Sequence, residues 1–301
     1  MDEPIVRKDS TIILRECYKT PKTIPLIFHF DPSEHTSKLE KARPQHVSVE
    51  GKDIYLFDDC FSSEEEKIMR EYSQNAQFSR KIYASLQSQE KKEKPARSMD
   101  SREKWQFFSH PPQPIGEIYR FLGRLSDALN AEITTLPWDF VDQTSTASAV
   151  VMNLLEELSE ESMESGKHHD YTPEKGVSFG IPILYARDKT YFREPFTNGA
   201  TGKPLLFTAL LYGTSENYLS EYGMGTTFYR KDGTLSYLAA CKHMRLVLFE
   251  GDTLHSIEKS NIPSDTSAWR ISYVFKLCMN PKDENQNLKE EMKCRFSSSI
   301  Q

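Results

Sequence analysis

From residue 147 to residue 277 the chain is a succession of short β-patterned segments, and no other feature constrains its fold as much. ASAVVMNL (147–154), GKHHDY (166–171), VSFGIPILYA (177–186), LLFTALLYG (205–213), TTFY (226–229), MRLVLFE (244–250) and WRISYVFKL (269–277) are separated by Gly, Pro and polar turns. Residues with β-branched and aromatic side chains at this spacing read as strands, and many short strands in a row read as a sandwich or barrel. Two helical patterns precede them. IYLFDD (54–59) reads as a strand that runs into FSSEEEKIMREY, where Ser63 and Glu66 stand at capping-box spacing and Ile68, Met69 and Tyr72 form an apolar stripe. After the Pro-rich HPPQP, Ile115, Ile118, Leu122, Leu125 and Leu129 share one helical face. The expected class is therefore α+β.

Composition excludes several alternatives. The chain has 301 residues, of which 38% are hydrophobic and 27% charged, enough for a real core and too apolar for a wholly disordered chain. Mean hydropathy is −0.60, and no apolar run approaches membrane-spanning length, so no membrane partner is expected. The net charge of −6 is unlike that of a nucleic-acid binder, although a local basic patch can hide in an average. The five cysteines are scattered and form no CxxC pair, which excludes a zinc ribbon or a thioredoxin motif. MDEPIVRKDS has no basic segment followed by an apolar one, so no signal peptide is expected. Together these point to a reducing cytoplasm, or to the nucleus in a eukaryote.

Along the chain, residues 1–50 read as an arm packed on the domain, 51–280 as the domain proper and 281–301 as a polar tail with a short helix near 288–292. Residues 85–104, with six basic side chains amid acids, read as a mobile loop. Residues 187–203 read as an inserted hairpin or lid.

Three pieces carry candidate chemistry. In a strand, alternation turns His168 and Asp170 to one face and His169 to the other. Alone, a His-x-Asp is common enough to arise by chance. His255 follows RLVLF and a tight EGD turn, where it begins a new strand facing back across a barrel; a histidine in a core or surface turn reads the same way in isolation. Two histidines and a carboxylate form the facial triad of non-haem Fe(II) oxygenases. The third piece is WRISYVFKL, in which period two puts Arg270, Ser272 and Val274 on one face and Ile271, Tyr273, Phe275 and Leu277 on the other. An arginine directed inward requires a partner, and a carboxylate ligand suits its planar fork. On an edge strand the same arginine would lie in water.

The order His-x-Asp, long gap, distal His, then Arg-x-Ser about fifteen residues later resembles the 2-oxoglutarate and Fe(II)-dependent oxygenase superfamily. TALLY (208–212), GMGTTFY (223–229), DIYLFDDCFSSEEEKIM and the segment leading to His255 are similar to stretches of its prolyl-hydroxylase-like branch, so the resemblance spans about residues 53 to 277. It implies a double-stranded β-helix (jelly-roll) core with supporting N-terminal helices. It implies iron ligation by His168, Asp170 and His255, with Arg270 holding the distal carboxylate of 2-oxoglutarate and Tyr212 helping to bind it. Ser272 matches the serine of Arg-x-Ser, and Asn153 stands where relatives place a polar co-substrate contact. Read as residues alone, Tyr212 is equally a core tyrosine and Asn153 a strand-end residue.

The implied activity is hydroxylation of an unactivated C–H bond with Fe(II), 2-oxoglutarate and O2, releasing succinate and CO2, with ascorbate as a supporting reductant. A protein or peptide side chain, prolyl foremost, is the expected substrate. Nucleic-acid dealkylation, hydroxylation of a free amino acid and a non-catalytic jelly-roll binding module are the alternatives. Glu156, Glu157, Glu160, Glu161 and Glu164, just before His168, read as a solvated loop or as an acidic rim that would attract a basic peptide and repel phosphate.

Overall fold

In a computed structural model of the chain the described residues are 37–76, 111–133, 167–172, 196–263 and 265–297, with the backbone alone at 5–6, 13–14, 78–84, 91–99, 134–135, 150–155 and 176–177. The Glu run from 156, residues 178–186 of the third strand segment and residues 187–195 of the insertion lie outside them, as does most of the arm.

The strands form a set of antiparallel sheets with helices on one side. Two short pairs stand apart: β1 (Ile5–Val6) with β2 (Ile13–Leu14), and β9 (Tyr171–Thr172) with β10 (Gly176–Val177). The large sheet contains β3 (Gln45–Val49), β4 (Lys52–Phe57), β5 (Phe78–Ala84), β6 (Lys91–Met99), β7 (Ala131–Thr135), β8 (Val150–Leu155), β11 (Leu205–Thr214), β14 (Leu246–Glu250) and β16 (Arg270–Pro281). Its order is β3-β4-β14-β11-β16-β8-β6-β5, and β7 pairs with the second half of β16 while β8 pairs with the first. A small sheet has the order β13 (Leu235–Ala239), β12 (Thr226–Tyr229), β15 (His255–Ile257).

β11 and β14 are buried along their whole length because the sheet is covered on both faces there. Strands in that position read as continuous apolar runs. Tyr55, Phe57, Phe207, Ala209, Leu211, Leu246, Leu248, Ile271, Tyr273 and Phe275 face the helices, where they meet Met69, Ile115, Ile118 and Leu122. Ile54, Leu56, Leu210, Tyr212, Val247 and Phe249 face the other way and pack against Phe228 and Ala239 of the small sheet. The space between the two sheets is thus a second core, and the candidate residues project into it.

Besides the short α1 (Lys38–Lys41), the helices are α2 (Ser63–Asn75), α3 (Gln113–Ala128) and α4 (Leu288–Ser297). The cap of α2 stands one residue earlier than the sequence reading placed it. Its capping box is Ser62 and Glu65: the Ser62 hydroxyl accepts the Glu65 N–H, and the Ser62 N–H donates to Glu65 Oε2 at 2.7 Å. Two serine–glutamate pairs share the required spacing, Ser62 with Glu65 and Ser63 with Glu66, so spacing alone does not choose between them. Within the segment read as a polar tail, α4 inserts Leu288 and Met292 into the helical core.

One further correction concerns residues 91–99 of the segment read as a loop: β6 occupies Lys91–Met99 and pairs with β5 at 91–93 and 97–99, across a register shift, and with β8 at Arg97 and Ser98, while 85–90 and 100–104 lie outside the described residues. Backbone pairing does not require apolar side chains, which is why the charged composition concealed it. In the GMGTTFY stretch the glycines are steric: a Cβ on Gly225 would stand 2.5 Å from the Ala239 carbonyl oxygen, and Gly223 has φ +72°. Glycine permits both the close approach and the left-handed backbone.

Candidate metal centre

His168 and Asp170 do not lie in a continuous strand as alternation assumed. His168 forms an isolated antiparallel bridge with His255, each N–H donating to the other's carbonyl at 3.0 Å, and Asp170 lies in the bend that follows. The bridge sets the two imidazoles side by side, with ring centroids 4.4 Å apart. The bend is fixed beyond Asp170, where the Tyr171 N–H donates to the Gly251 carbonyl and the Tyr171 hydroxyl to the Phe196 carbonyl, both at 2.8 Å. His168, Asp170 and His255 therefore converge, their ligand atoms all within 4.8 Å of one another. His168 Nε2 is 3.9 Å from Asp170 Oδ1, and His255 Nε2 is 4.0 Å from Asp170 Oδ2.

The surroundings fix the chemistry of each ligand. His255 Nδ1 lies 2.8 Å from the Thr253 carbonyl oxygen. A carbonyl only accepts, so Nδ1 carries the proton and Nε2 presents its lone pair to the cluster. Phe249 and Phe228 enclose the ring, and burial holds its pKa down to about 4 against the opposing charge of Asp170. A cation arriving at neutral pH meets this imidazole already neutral. His168 keeps 27% of its side-chain surface exposed, which makes it the solvent-facing member of the three.

Asp170 is the buried carboxylate of the cluster. Burial pushes its carboxyl up, but the Lys276 ammonium, His255, and hydrogen bonds from Lys276 and Thr208 outweigh it and leave the group well below the usual carboxylate range. Thr208 Oγ1 donates to Oδ2 at 2.6 Å and Lys276 Nζ to Oδ1 at 2.7 Å. The β11–β16 register pairs Thr208 directly with Lys276. Directly opposed side chains on one face lie about 5 Å apart, the right separation to grip the two oxygens of one carboxylate. Sequence reading left both residues without a role. A signal was present for one of them: Lys276 continues the Arg270–Ser272–Val274 face and is the only charged residue from Ile271 to Met279.

Arg270 lies on the same face of β16, six residues from Lys276, or about 20 Å along an extended strand. Its side chain is fully buried, and Nε, Nη1 and Nη2 have no oxygen acceptor among the described residues. The guanidinium lies over the Tyr212 ring at 5.1 Å, a cation–π contact that stabilises charge without using its N–H groups. The Tyr212 hydroxyl is bonded across to the small sheet, at 2.6 Å from Thr226 Oγ1, so the face of this residue, not its tip, meets Arg270. Burial pushes the nearby Cys241 thiol up, opposed by the charge of Arg270 and by side-chain hydrogen bonds with Tyr218 and Arg270. Ser272 is buried and stands opposite Tyr212 on one side and Asn153 on the other by strand register.

The structure thus gathers His168, Asp170 and His255 at one end of the intersheet space and Arg270, Tyr212 and Ser272 toward the other. Two imidazoles and one carboxylate are donors suited to a divalent first-row metal such as Fe(II). Three guanidinium nitrogens without an oxygen acceptor suit a carboxylate ligand, since a buried unpaired charge is otherwise strongly unfavourable.

No family model matches this chain, and no curated protein matches it in sequence. Among solved structures, it is similar to one described as a prolyl 4-hydroxylase from Phytophthora capsici, at a TM-score of 0.38 and 15% sequence identity, over 77% of this chain. The chain spans 60% of the length of that structure. No helix among the described residues is long and apolar enough to cross a membrane.

Proposed function

We propose that this chain is an Fe(II)- and 2-oxoglutarate-dependent dioxygenase built on a double-stranded β-helix, hydroxylating an unactivated C–H bond on a protein side chain. The observation that carries this reading is the pairing of a His168–Asp170–His255 ligand cluster with the buried guanidinium of Arg270, which has no carboxylate partner among the described residues, in one intersheet space. The cluster alone would suit many divalent metals, and the guanidinium alone would suit many anions. Together they suit a dianion that reaches a metal with one end and an arginine with the other, since the Arg270 side chain leans over Tyr212, the register partner of Ser272, and so toward the cluster. The sequence likeness of TALLY and GMGTTFY to the prolyl-hydroxylase branch favours proline as the residue modified.

When bound, ferrous iron with 2-oxoglutarate and O2 supplies the oxidising equivalent for hydroxylation, with succinate and CO2 as the other products. His168 and His255 would offer nitrogen lone pairs, and Asp170 a carboxylate oxygen held in place by two donors. Arg270 takes the remote carboxylate of the co-substrate in a fork of N–H donors, so the ligand enters in one orientation. Tyr212 backs the guanidinium, and Leu210, Phe228 and Phe249 help keep water from the space between. The exposed edge of His168 marks the side from which a substrate side chain arrives.

The test is anaerobic reconstitution with Fe(II) followed by oxygen-dependent succinate formation, run in parallel with proline-containing peptides, free amino acids and methylated nucleotides. Succinate formation stimulated by a peptide, with a mass gain of one oxygen on proline, is the expected result. Absence of Fe(II) and 2-oxoglutarate binding would overturn the reading and leave a non-catalytic binding module.

A further inference from the structure

The lysine at the metal end of β16 has a role that the ligand cluster alone does not assign. Lysine is almost never fully buried unless paired. Lys276 has only 7% of its side chain exposed, and its Nζ is 2.7 Å from Asp170 Oδ1. Thr208 holds the other oxygen. With a fixed donor on each oxygen, the carboxylate is restrained from rotating about its Cβ–Cγ bond. The lone pairs that remain face the imidazoles, with Oδ1 toward His168 and Oδ2 toward His255. The ammonium also balances the charge of the carboxylate. The carboxylate is thus held in one orientation by donors from two adjacent strands, with an edge of each oxygen left toward an imidazole.

We propose that Lys276 is a positioning residue of the metal centre, acting through Asp170 to preorganise it as a ligand. This rests on the reading of His168, Asp170 and His255 as a metal site. The competing possibility is a core ion pair that only stabilises the fold. The two differ in what happens to metal affinity in folded protein.

Mn(II), a redox-stable probe, is titrated into metal-free protein and followed by electron paramagnetic resonance. Far-ultraviolet circular dichroism and thermal unfolding of the same samples report folding. Outer-shell partners of metal ligands are typically worth 10–100-fold in affinity, so Lys276→Met should weaken Mn(II) binding by about that factor. In an Asp170→Ala background the same change should leave the residual affinity unaltered, because the residue through which Lys276 acts is gone. Lys276→Gln, which keeps an N–H donor but not the charge or the reach, covers the case in which the methionine variant does not fold, and should show a loss in the same range.

Folded Lys276 variants that bind Mn(II) as tightly as wild type would overturn the proposal. An equal loss in the Asp170→Ala background would do so too. Wild-type protein that binds neither Mn(II) nor Fe(II) would instead overturn the metal site itself, so the two failures are distinguishable.

Discussion

Lys276 and Arg270 are two buried cations on one face of one strand, and their circumstances are opposite. Lys276 is paired by the protein with Asp170 at 2.7 Å. Arg270 is left with three nitrogens that have no oxygen acceptor among the described residues. The first arrangement is internally complete: its charge is matched and the pair can be laid down as the sheet forms. The second has no carboxylate of the chain paired with it among the described residues. A buried charge that the fold has paired acts on its partner, whereas one left open marks where a ligand belongs.

The largest expected effect tests the cluster itself. His168→Ala or His255→Ala should weaken Fe(II) binding more than any other change considered and bring succinate formation below detection, since either leaves only two protein ligands. Full succinate production by one of these variants would remove that residue from the ligand set.

Opposite signs are expected for the two cations. Lys276→Met leaves the Asp170 charge buried without its counter-charge, and should lower the unfolding free energy by about 3–5 kcal/mol. Arg270→Met removes an unmatched charge and should leave the metal-free protein as stable or more so, by about 1–4 kcal/mol. Chemical denaturation of both variants reads this directly. On the proposed function, Arg270→Met should also lose 2-oxoglutarate affinity by about 2–5 kcal/mol, and with it any thermal stabilisation by 2-oxoglutarate expected of metal-loaded wild type. Equal destabilisation by both substitutions would erase the distinction between the two ends.

Acid should act on the Arg270 end through His243. This imidazole accepts the N–H of Thr214, the residue opposite Arg270 in the sheet, and burial holds its pKa down to about 4. Its folded pKa is below the unfolded value near 6.5, so the unfolded state takes up more protons as pH falls. The contribution is fully present above pH 6.5 and is lost progressively as pH drops toward 4, by about 3 kcal/mol. His243→Asn, whose amide oxygen can still accept from Thr214, should flatten that slope in denaturation curves measured at pH 7 and pH 5. The smallest effect is a control on the outer face. Ser62→Ala should cost about 1 kcal/mol through the lost helix cap and leave metal and 2-oxoglutarate affinities unchanged.

Much of the architecture can be read from local pattern. TTFY is β12 as the sequence marks it, and LLFTALLYG and WRISYVFKL become β11 and β16 with small changes at their ends. The alternation Ile271, Tyr273, Phe275 against Ser272 and Val274 assigns the two faces of β16 correctly, because side-chain direction in a strand depends on parity alone. Pattern failed where pairing is made by backbone and not by apolar side chains, as in the charged β6. It also failed where geometry is local and irregular, as at the His168 bridge and the Asp170 bend.

The sequence by itself determined which chemical groups are at hand: two imidazoles, a carboxylate, and an inward arginine on a strand whose other face is apolar. Those follow from residue identity and period-two alternation, which are properties of neighbours in the chain. Only the tertiary structure decided which charge would be matched. Thr208 and Lys276 lie 38 and 106 residues from Asp170 and reach its two oxygens through the β11–β16 register. Arg270, on the same strand, meets an aromatic face and the Cys241 thiol, and no carboxylate among the described residues. Hydrogen bonds act over about 3 Å, so partners distant in sequence are set by packing, and packing is a property of the whole chain.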